Sequence, residues 1–165
     1  MDYKIEKLSD FIGTEVFLDL ANQIYFVTDH LRKDYPNHQE WFFNKHLPEV
    51  GKNREVFFVR IYNNVYGVAF VKNTKEEKKI CTFYIMEHAR NIGIGRALMK
   101  TAMQYLQTTK PMITMPGHKV RYFLHFMHMY DWKICQIIDG AYIKDQDEIV
   151  FNGVLKQLDI DKKTT

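Results

Sequence analysis

Between Glu87 and Met99 the chain reads EHARNIGIGRALM, and these residues have types and a spacing suited to chemistry. Gly93 and Gly95 stand one residue apart, after Arg90 and at the start of an apolar periodicity that predicts a helix. Glycines at such a junction let backbone N–H groups approach an anion closely. The first turn of the helix adds unpaired donors and a partial positive charge. A pyrophosphate suits a nest of this kind, and Arg90 or Arg96 can add charge-assisted contacts to its oxygens. Two phosphate loops are excluded by residue type. A dinucleotide fingerprint needs glycine or alanine where Leu98 stands, and a Walker loop needs Lys then Ser or Thr where this chain has Arg96 and Ala97. What remains is R-x-x-G-x-G, spelled Arg90-Asn91-Ile92-Gly93-Ile94-Gly95.

A loop acts only where its flanking elements hold it. Upstream, REVFFVRIYNNVYGVAFVKN gives two β-rich runs joined at Asn63-Asn64, since asparagine tolerates the positive φ of a tight hairpin turn. A charged turn from Thr74 to Lys79 then leads into ICTFYIM, a third antiparallel strand ending just before the loop. Downstream, Ile94, Leu98, Ala102 and Tyr105 mark one face of a helix that runs to about Thr108, with Pro111 preventing its continuation. A strand from Met112, a helix over VRYFLHFMHMY and strands in WKICQII and DEIVF follow. Before the sheet, Val16, Phe17, Leu20, Ala21 and Ile24 recur at helical spacing, with Ser9 or Asp10 as cap. Asn37 with Glu40 reads as a capping box for a short helix over WFFNKHL, ended by Pro48 and Gly51.

Composition sets the setting. With 165 residues, 46% of them apolar and 15% aromatic, the chain is long enough for one domain with its own core. A net charge of +3 and a pI near 8.7 suit an anionic small ligand but give no argument for nucleic acid. Cys81 and Cys135 have no metal-ligand spacing and lie in apolar runs, where buried free thiols are expected; no metal site is predicted. Asp2, Glu6, Asp10, Glu15 and Asp19 break any signal-peptide core, and no apolar run approaches the ~20 residues of a membrane span, so a cytoplasmic location is expected.

With R-x-x-G-x-G between a strand and a helix, the sequence resembles the GNAT superfamily of N-acetyltransferases, from about Arg54 to Gly153. The resemblance implies an α/β fold of the α+β type: a mixed, mostly antiparallel, twisted sheet of six to seven strands flanked by about four helices. It implies a single domain over residues 1–165, with an acceptor-side helical region over 1–53, the sheet and acetyl-CoA motif over 54–110, and a C-terminal half over 111–165. Acetyl-CoA is then the cosubstrate and an amine the acceptor, with no membrane partner; the oligomeric state stays open, a homodimer being one candidate. By the resemblance, residues 90–96 (Arg90, Asn91, Ile92, Gly93, Ile94, Gly95 and Arg96) cradle the pyrophosphate. Tyr84, Ile85 and Met86 match the strand positions that pair with the pantetheine arm, and the N–H of Ile85 is expected to polarise the thioester carbonyl.

The second half departs from the family pattern. Laying Asp131-Trp132 over the family's Gly-Phe puts Val120 where an asparagine is common and Met127 where a tyrosine often protonates the departing thiolate. Tyr130, three residues on, is the nearest substitute and is expected to be the proton donor, with Tyr122 or water as the alternatives. The glutamate that some relatives use as a base corresponds to Lys79, and Glu87 lies just past the strand. His118, His125 and His128 flank the second-half helix. His30, His38 and His46 lie in the N-terminal region beside Tyr25, Phe26, Tyr35, Trp41, Phe42 and Phe43, which either form a core or wall an aromatic acceptor pocket. Two readings stay open: direct acetyl transfer to an amine without a covalent enzyme intermediate, and an acyl-CoA-binding module that senses or assembles without turnover.

Overall fold

The computed structural model describes residues 2–156. Seven strands, β1 (Lys4–Lys7), β2 (Arg54–Ile61), β3 (Asn64–Asn73), β4 (Lys78–Ile85), β5 (Met112–Pro116), β6 (Ile134–Asp139) and β7 (Asp147–Phe151), form one sheet in the order β1-β2-β3-β4-β5-β7-β6. Every neighbouring pair is antiparallel except β4 and β5. The α-helices are α1 (Phe17–Thr28), α2 (His38–Trp41), α3 (Ile94–Leu106) and α4 (Leu124–Tyr130).

Period-two alternation in the central strands feeds two cores. Phe57, Val59, Ile80 and Ile85 face α3 and α4, whereas Val56, Phe58 and Phe70 face α1 and the segment after it. Of the face that the spacing predicts on α3, Ile94, Leu98 and Ala102 are fully buried, whereas Tyr105 is only partly buried against the core and Leu106, one residue on, takes the fully buried place. At roughly 1.5–3 kcal/mol for each large side chain removed from water, that stripe holds α3 in place although its first turn contains a glycine. The helix ends at Gln107, which takes a left-handed conformation with φ 55°.

Several local expectations are corrected. Ser9 and Asp10 do not cap α1; they belong to a separate 3₁₀ turn, Leu8–Phe11, and α1 starts after Val16 without a side-chain cap. Asn37 precedes α2 but makes no side-chain cap, and the helical text beyond Trp41 continues as a π turn, Phe42–His46, and a 3₁₀ turn, Leu47–Glu49. The hairpin loop is Tyr62-Asn63, one residue earlier than expected, because Ile61 pairs with Asn64; Tyr62 carries the positive φ of 54°. Residues Gly117–Tyr122 form a 3₁₀ segment, so only the latter part of VRYFLHFMHMY is α-helical. Cys81 is buried, whereas Cys135 is exposed because β6 is an edge strand with water on one side.

One irregularity shapes everything that follows. Phe70 pairs with Thr82 and Val71 with Ile80, so Cys81 is an extra residue that bulges β4. A bulge bends and twists its strand. Parallel pairing of β4 with β5 is confined to Lys79 with Met112 and Ile80 with Ile113, on the N-terminal side of that bulge. Beyond it the two strands part, β5 continues its ladder with β7, and the second half of β4 keeps β3 on one side and a gap on the other.

Candidate functional site

The gap leaves backbone groups of β4 without a strand partner. The Met86 N–H donates to the Tyr66 carbonyl at 2.8 Å, and antiparallel bonding alternates, so the N–H and C=O of Ile85 project from the opposite edge, into the gap. The Ile85 carbonyl accepts a hydrogen bond from Arg90 Nε at 2.9 Å. The guanidinium of Arg90 also lies 5.5 Å from the Tyr84 ring centre and 5.4 Å from that of Tyr122, which fixes it across the mouth of the gap.

The glycine loop closes that mouth. After a 3₁₀ turn over Glu87–Ala89, Asn91 and Gly93 take positive φ values of 63° and 89°, and Gly93 stands at the N-cap of α3 without any side-chain cap. Its carbonyl receives the first helical bond, from the Ala97 N–H at 3.1 Å. The N–H groups of Ile94, Gly95 and Arg96 precede that bond and have no intrahelical acceptor. A Cβ at Gly95 would come within 3.6 Å of Ile85, so the loop and the free edge of β4 lie side by side. Together they border a cleft of about 910 Å³, whose other wall is the segment of Tyr122, Phe123 and Phe126. Arg96, at the same mouth, is 3.0 Å from His125 Nε2.

Most of the residues expected at a ligand site meet here: Tyr84, Ile85, Arg90, Asn91, Gly93, Gly95 and Arg96 all line the cleft. The side chains of the other three point elsewhere. Ile94 is buried beneath the loop, Ile92 is 51% exposed, and Met86 faces a different pocket, so any part they take is through the backbone. Tyr130 is a clear displacement. It stacks on Trp132 with centroids 6.4 Å apart and packs against the core, and it is not among the residues lining the cleft. The αL residue Asp131 ends α4 immediately after it, and the chain turns away from the gap. Tyr122, from the preceding 3₁₀ segment, does line the cleft; Arg121 donates to its hydroxyl oxygen at 3.0 Å, which leaves the phenolic proton free.

A second pocket, of about 800 Å³, opens on the α1 side of β4 between α1, β3 and the end of β4. His30 and Tyr84 line both cavities, with their rings 4.3 Å apart. Partial burial, with Lys119 nearby and Lys33 adding to it, holds the His30 imidazole below its usual range against the opposing pull of Asp34. Asp34 is itself bound to Lys119 at 2.7 Å and His118 at 3.4 Å. The other N-terminal histidines are structural: His38 meets Thr28 at 2.8 Å, and His46 meets the Glu55 carbonyl at 3.1 Å. Tyr25, Trp41 and Phe42 are core residues, whereas Phe26 projects into the second pocket. The sequence grouped His30 with the packed aromatics; its place at the junction depends on how α1 docks against β4, which no local pattern reveals. Among the described residues no cluster of three His, Cys, Asp or Glu side chains could hold a metal ion, and no helix is long and apolar enough to cross a membrane.

Parted parallel strands beside an uncapped, glycine-opened helix offer free backbone groups along an extended cleft and N–H donors suited to an anion at its mouth. The profile of the Acetyltransferase (GNAT) family matches residues 16–114, more than half of the sequence, and the chain belongs to that family. Solved structures agree on the fold. The ribosomal-protein-S18-alanine N-acetyltransferase from Escherichia coli aligns with a TM-score of 0.65 at 10% identity, over 94% of this chain and 97% of that one. A GNAT-family protein from Desulfovibrio desulfuricans gives 0.64 at 14% identity, over 91% and 97%. A GNAT family acetyltransferase from Elizabethkingia anophelis, solved with acetyl-CoA bound, gives 0.59 at 18% identity, over 90% and 95%. A search of curated proteins returns no match.

Proposed function

We propose that the chain transfers an acetyl group from acetyl-CoA to a primary amine by direct attack. The observation that carries this reading is the continuity of the cleft: it runs from the N–H groups at the start of α3, along the free edge of Ile85, to His30 and Tyr84, where the second pocket begins. The residues fit the cosubstrate. Uncapped N–H groups of Gly95 and Arg96, with Arg90 and Arg96 beside them, would hold the pyrophosphate, and the β4 edge would pair with the pantetheine amides. In the bound state acetyl-CoA supplies an activated thioester. The Ile85 N–H, held toward the gap by the β3 ladder, would then donate to the carbonyl oxygen as negative charge develops on it. Tyr122 would give the departing sulfur a proton, a role supported by its place in the lining of the cleft, where Tyr130 is not found.

Met127, which has no proton to give, favours the second reading of a binding module without turnover. Adding amines to protein and acetyl-CoA while following free thiol, with product mass determined, separates the two. Amine-dependent thiol release with a matching acetylated amine is expected. Saturable acetyl-CoA binding with no amine-dependent release would leave only the binding module.

A further inference from the structure

The second pocket has a composition unlike the rest of the surface. Of the whole chain 26% is charged, yet among the described residues no Asp, Glu, Lys or Arg lines this cavity of about 800 Å³. Phe26, Val27, Val65, Tyr66 and Met86 line it together with the uncharged Asn22, Gln23 and Asn64. Phe26 is 79% exposed, although a phenylalanine on an amphipathic helix ordinarily turns toward the core as its neighbours Tyr25 and Ile24 do. Tyr66 stands edge-on to His88 at 5.3 Å, and both rings line the pocket with Phe26. A ligand with a second ammonium or a carboxylate would find no oppositely charged side chain on these walls, and would set that charge against Phe26, Val65 and Met86. Polyamines and amino acids therefore fit poorly. A ring-sized apolar body with a single amine fits well.

The inner end of the pocket is His30. The Val27 carbonyl lies beside one ring nitrogen, and an imidazole that donates there keeps its other nitrogen as an acceptor. Around the ring stand Tyr84 from β4, Lys119 and His118 from the segment before α4, and Lys33 and Asp34 from its own turn; His88 lines the same pocket, and Arg90 lies over Tyr84. Burial and the two lysines outweigh Asp34 and shift the imidazole toward its neutral form.

We infer that this pocket is the acceptor site, that it selects a primary amine on an uncharged, apolar body of aromatic size, and that His30 receives the proton which the amine loses. The inference rests on the acetyl-transfer reading. In the step, the acceptor attacks as the neutral amine: its nitrogen forms a bond to the acetyl carbon, the bond from that carbon to sulfur breaks, the one proton that the nitrogen then sheds passes to His30, and the sulfur takes a proton from Tyr122 or water. Bulk water then takes the proton from His30 and returns one to Tyr122, which closes the cycle. No oxidant or further reactant is needed.

The test uses 2-phenylethylamine, 1,4-diaminobutane and phenylalanine as acceptors, with acetyl-CoA affinity measured by calorimetry on every variant. The wild type should prefer phenylethylamine in kcat/KM by at least about 10-fold, as expected where a rival charge goes unpaired. Phe26→Asp, at an exposed position, should lower turnover of phenylethylamine and raise that of the diamine at unchanged acetyl-CoA affinity. His30→Gln should reduce kcat by about 10²-fold with the amine KM nearly constant, and should remove the acid limb of the kcat–pH profile. Equal use of the three amines, a preference that Phe26→Asp leaves unmoved, a His30→Gln effect confined to KM, or acetyl-CoA binding with no transfer to any of them would overturn the inference. Loss of acetyl-CoA binding by the wild-type protein would instead overturn the acetyl-transfer reading beneath it.

Discussion

Replacing Gly95 should move stability and ligand affinity in opposite directions, because two separate physical effects meet at that Cα. Gly95 is the second residue of α3 and its φ is not positive, so its conformation is open to any residue. An added Cβ would sit 3.6 Å from Ile85 Cγ1, an ordinary van der Waals distance. Gly95→Ala should therefore gain up to about 0.5–1 kcal/mol from helix propensity, a Tm rise of about 1–4 °C for a chain of this size. The same methyl points across the mouth of the cleft, between the loop N–H groups and the β4 edge. If it forces a phosphate oxygen off one charged hydrogen bond, the loss is about 2 kcal/mol, or about 30-fold in Kd. Gly95→Val, bulkier in the same direction, should lose more. Calorimetric titration of acetyl-CoA paired with a thermal melt reads both quantities on one preparation. Gly93→Ala is the contrast: nothing lies within 4 Å of its Cβ, but φ is +89°, so it should cost about 1–2 kcal/mol of stability even without ligand. A folded Gly95→Val protein that binds acetyl-CoA with wild-type affinity would refute the assignment of the loop.

Tyr122→Phe should lower kcat by about 10- to 100-fold at constant acetyl-CoA affinity, whereas Tyr130→Phe, stacked on Trp132 away from the cleft, should stay within about twofold of wild type in steady-state kinetics. Gly67→Ala places a Cβ 2.5 Å from Ile85 Cδ1 and 3.3 Å from the Tyr84 carbonyl oxygen, so urea denaturation should show a loss of about 1–3 kcal/mol as Ile85 is displaced. Tyr25 donates to Asp29 at 2.6 Å, and burial with that carboxylate raises its phenol to about 12. Its folded pKa lies above the ordinary 10, so its contribution is complete below pH ~10 and disappears as pH rises toward 12. Denaturation followed from pH 8 to 12 should accordingly fall less steeply for Tyr25→Phe.

The parts of this molecule that were legible in the sequence are those whose cause is local. The glycine loop, the stripe of α3 and the three strands before it follow from residue type and period, and the structure brings Arg90, Gly93, Gly95 and Ile85 to one cleft as that pattern implies. What was not legible depends on contacts between distant elements. β1 reads KIEK and carries no apolar alternation, so it was missed; it is an edge strand paired only with β2. The bulge at Cys81, which parts β4 from β5, is a matter of register and leaves no trace in hydrophobicity. Tyr130 was placed by helical offset from Met127, but the helix is shorter than its text and ends at that residue. His30 is one of seven histidines in the sequence, and only the docking of α1 on β4 sets it between the two cavities.

Single-turnover transfer from acetyl-CoA labelled in the acetyl group tests the account most directly, because it follows the group itself. With excess protein, labelled acetyl-CoA and 2-phenylethylamine, the account predicts that label leaves acetyl-CoA in one phase and appears in the amide at the same rate. No labelled protein should accumulate, since Cys81 is buried and Cys135 lies on the β6 edge, outside the residues that line the cleft. Label trapped on the protein, or label that remains in acetyl-CoA at saturating binding, would contradict it.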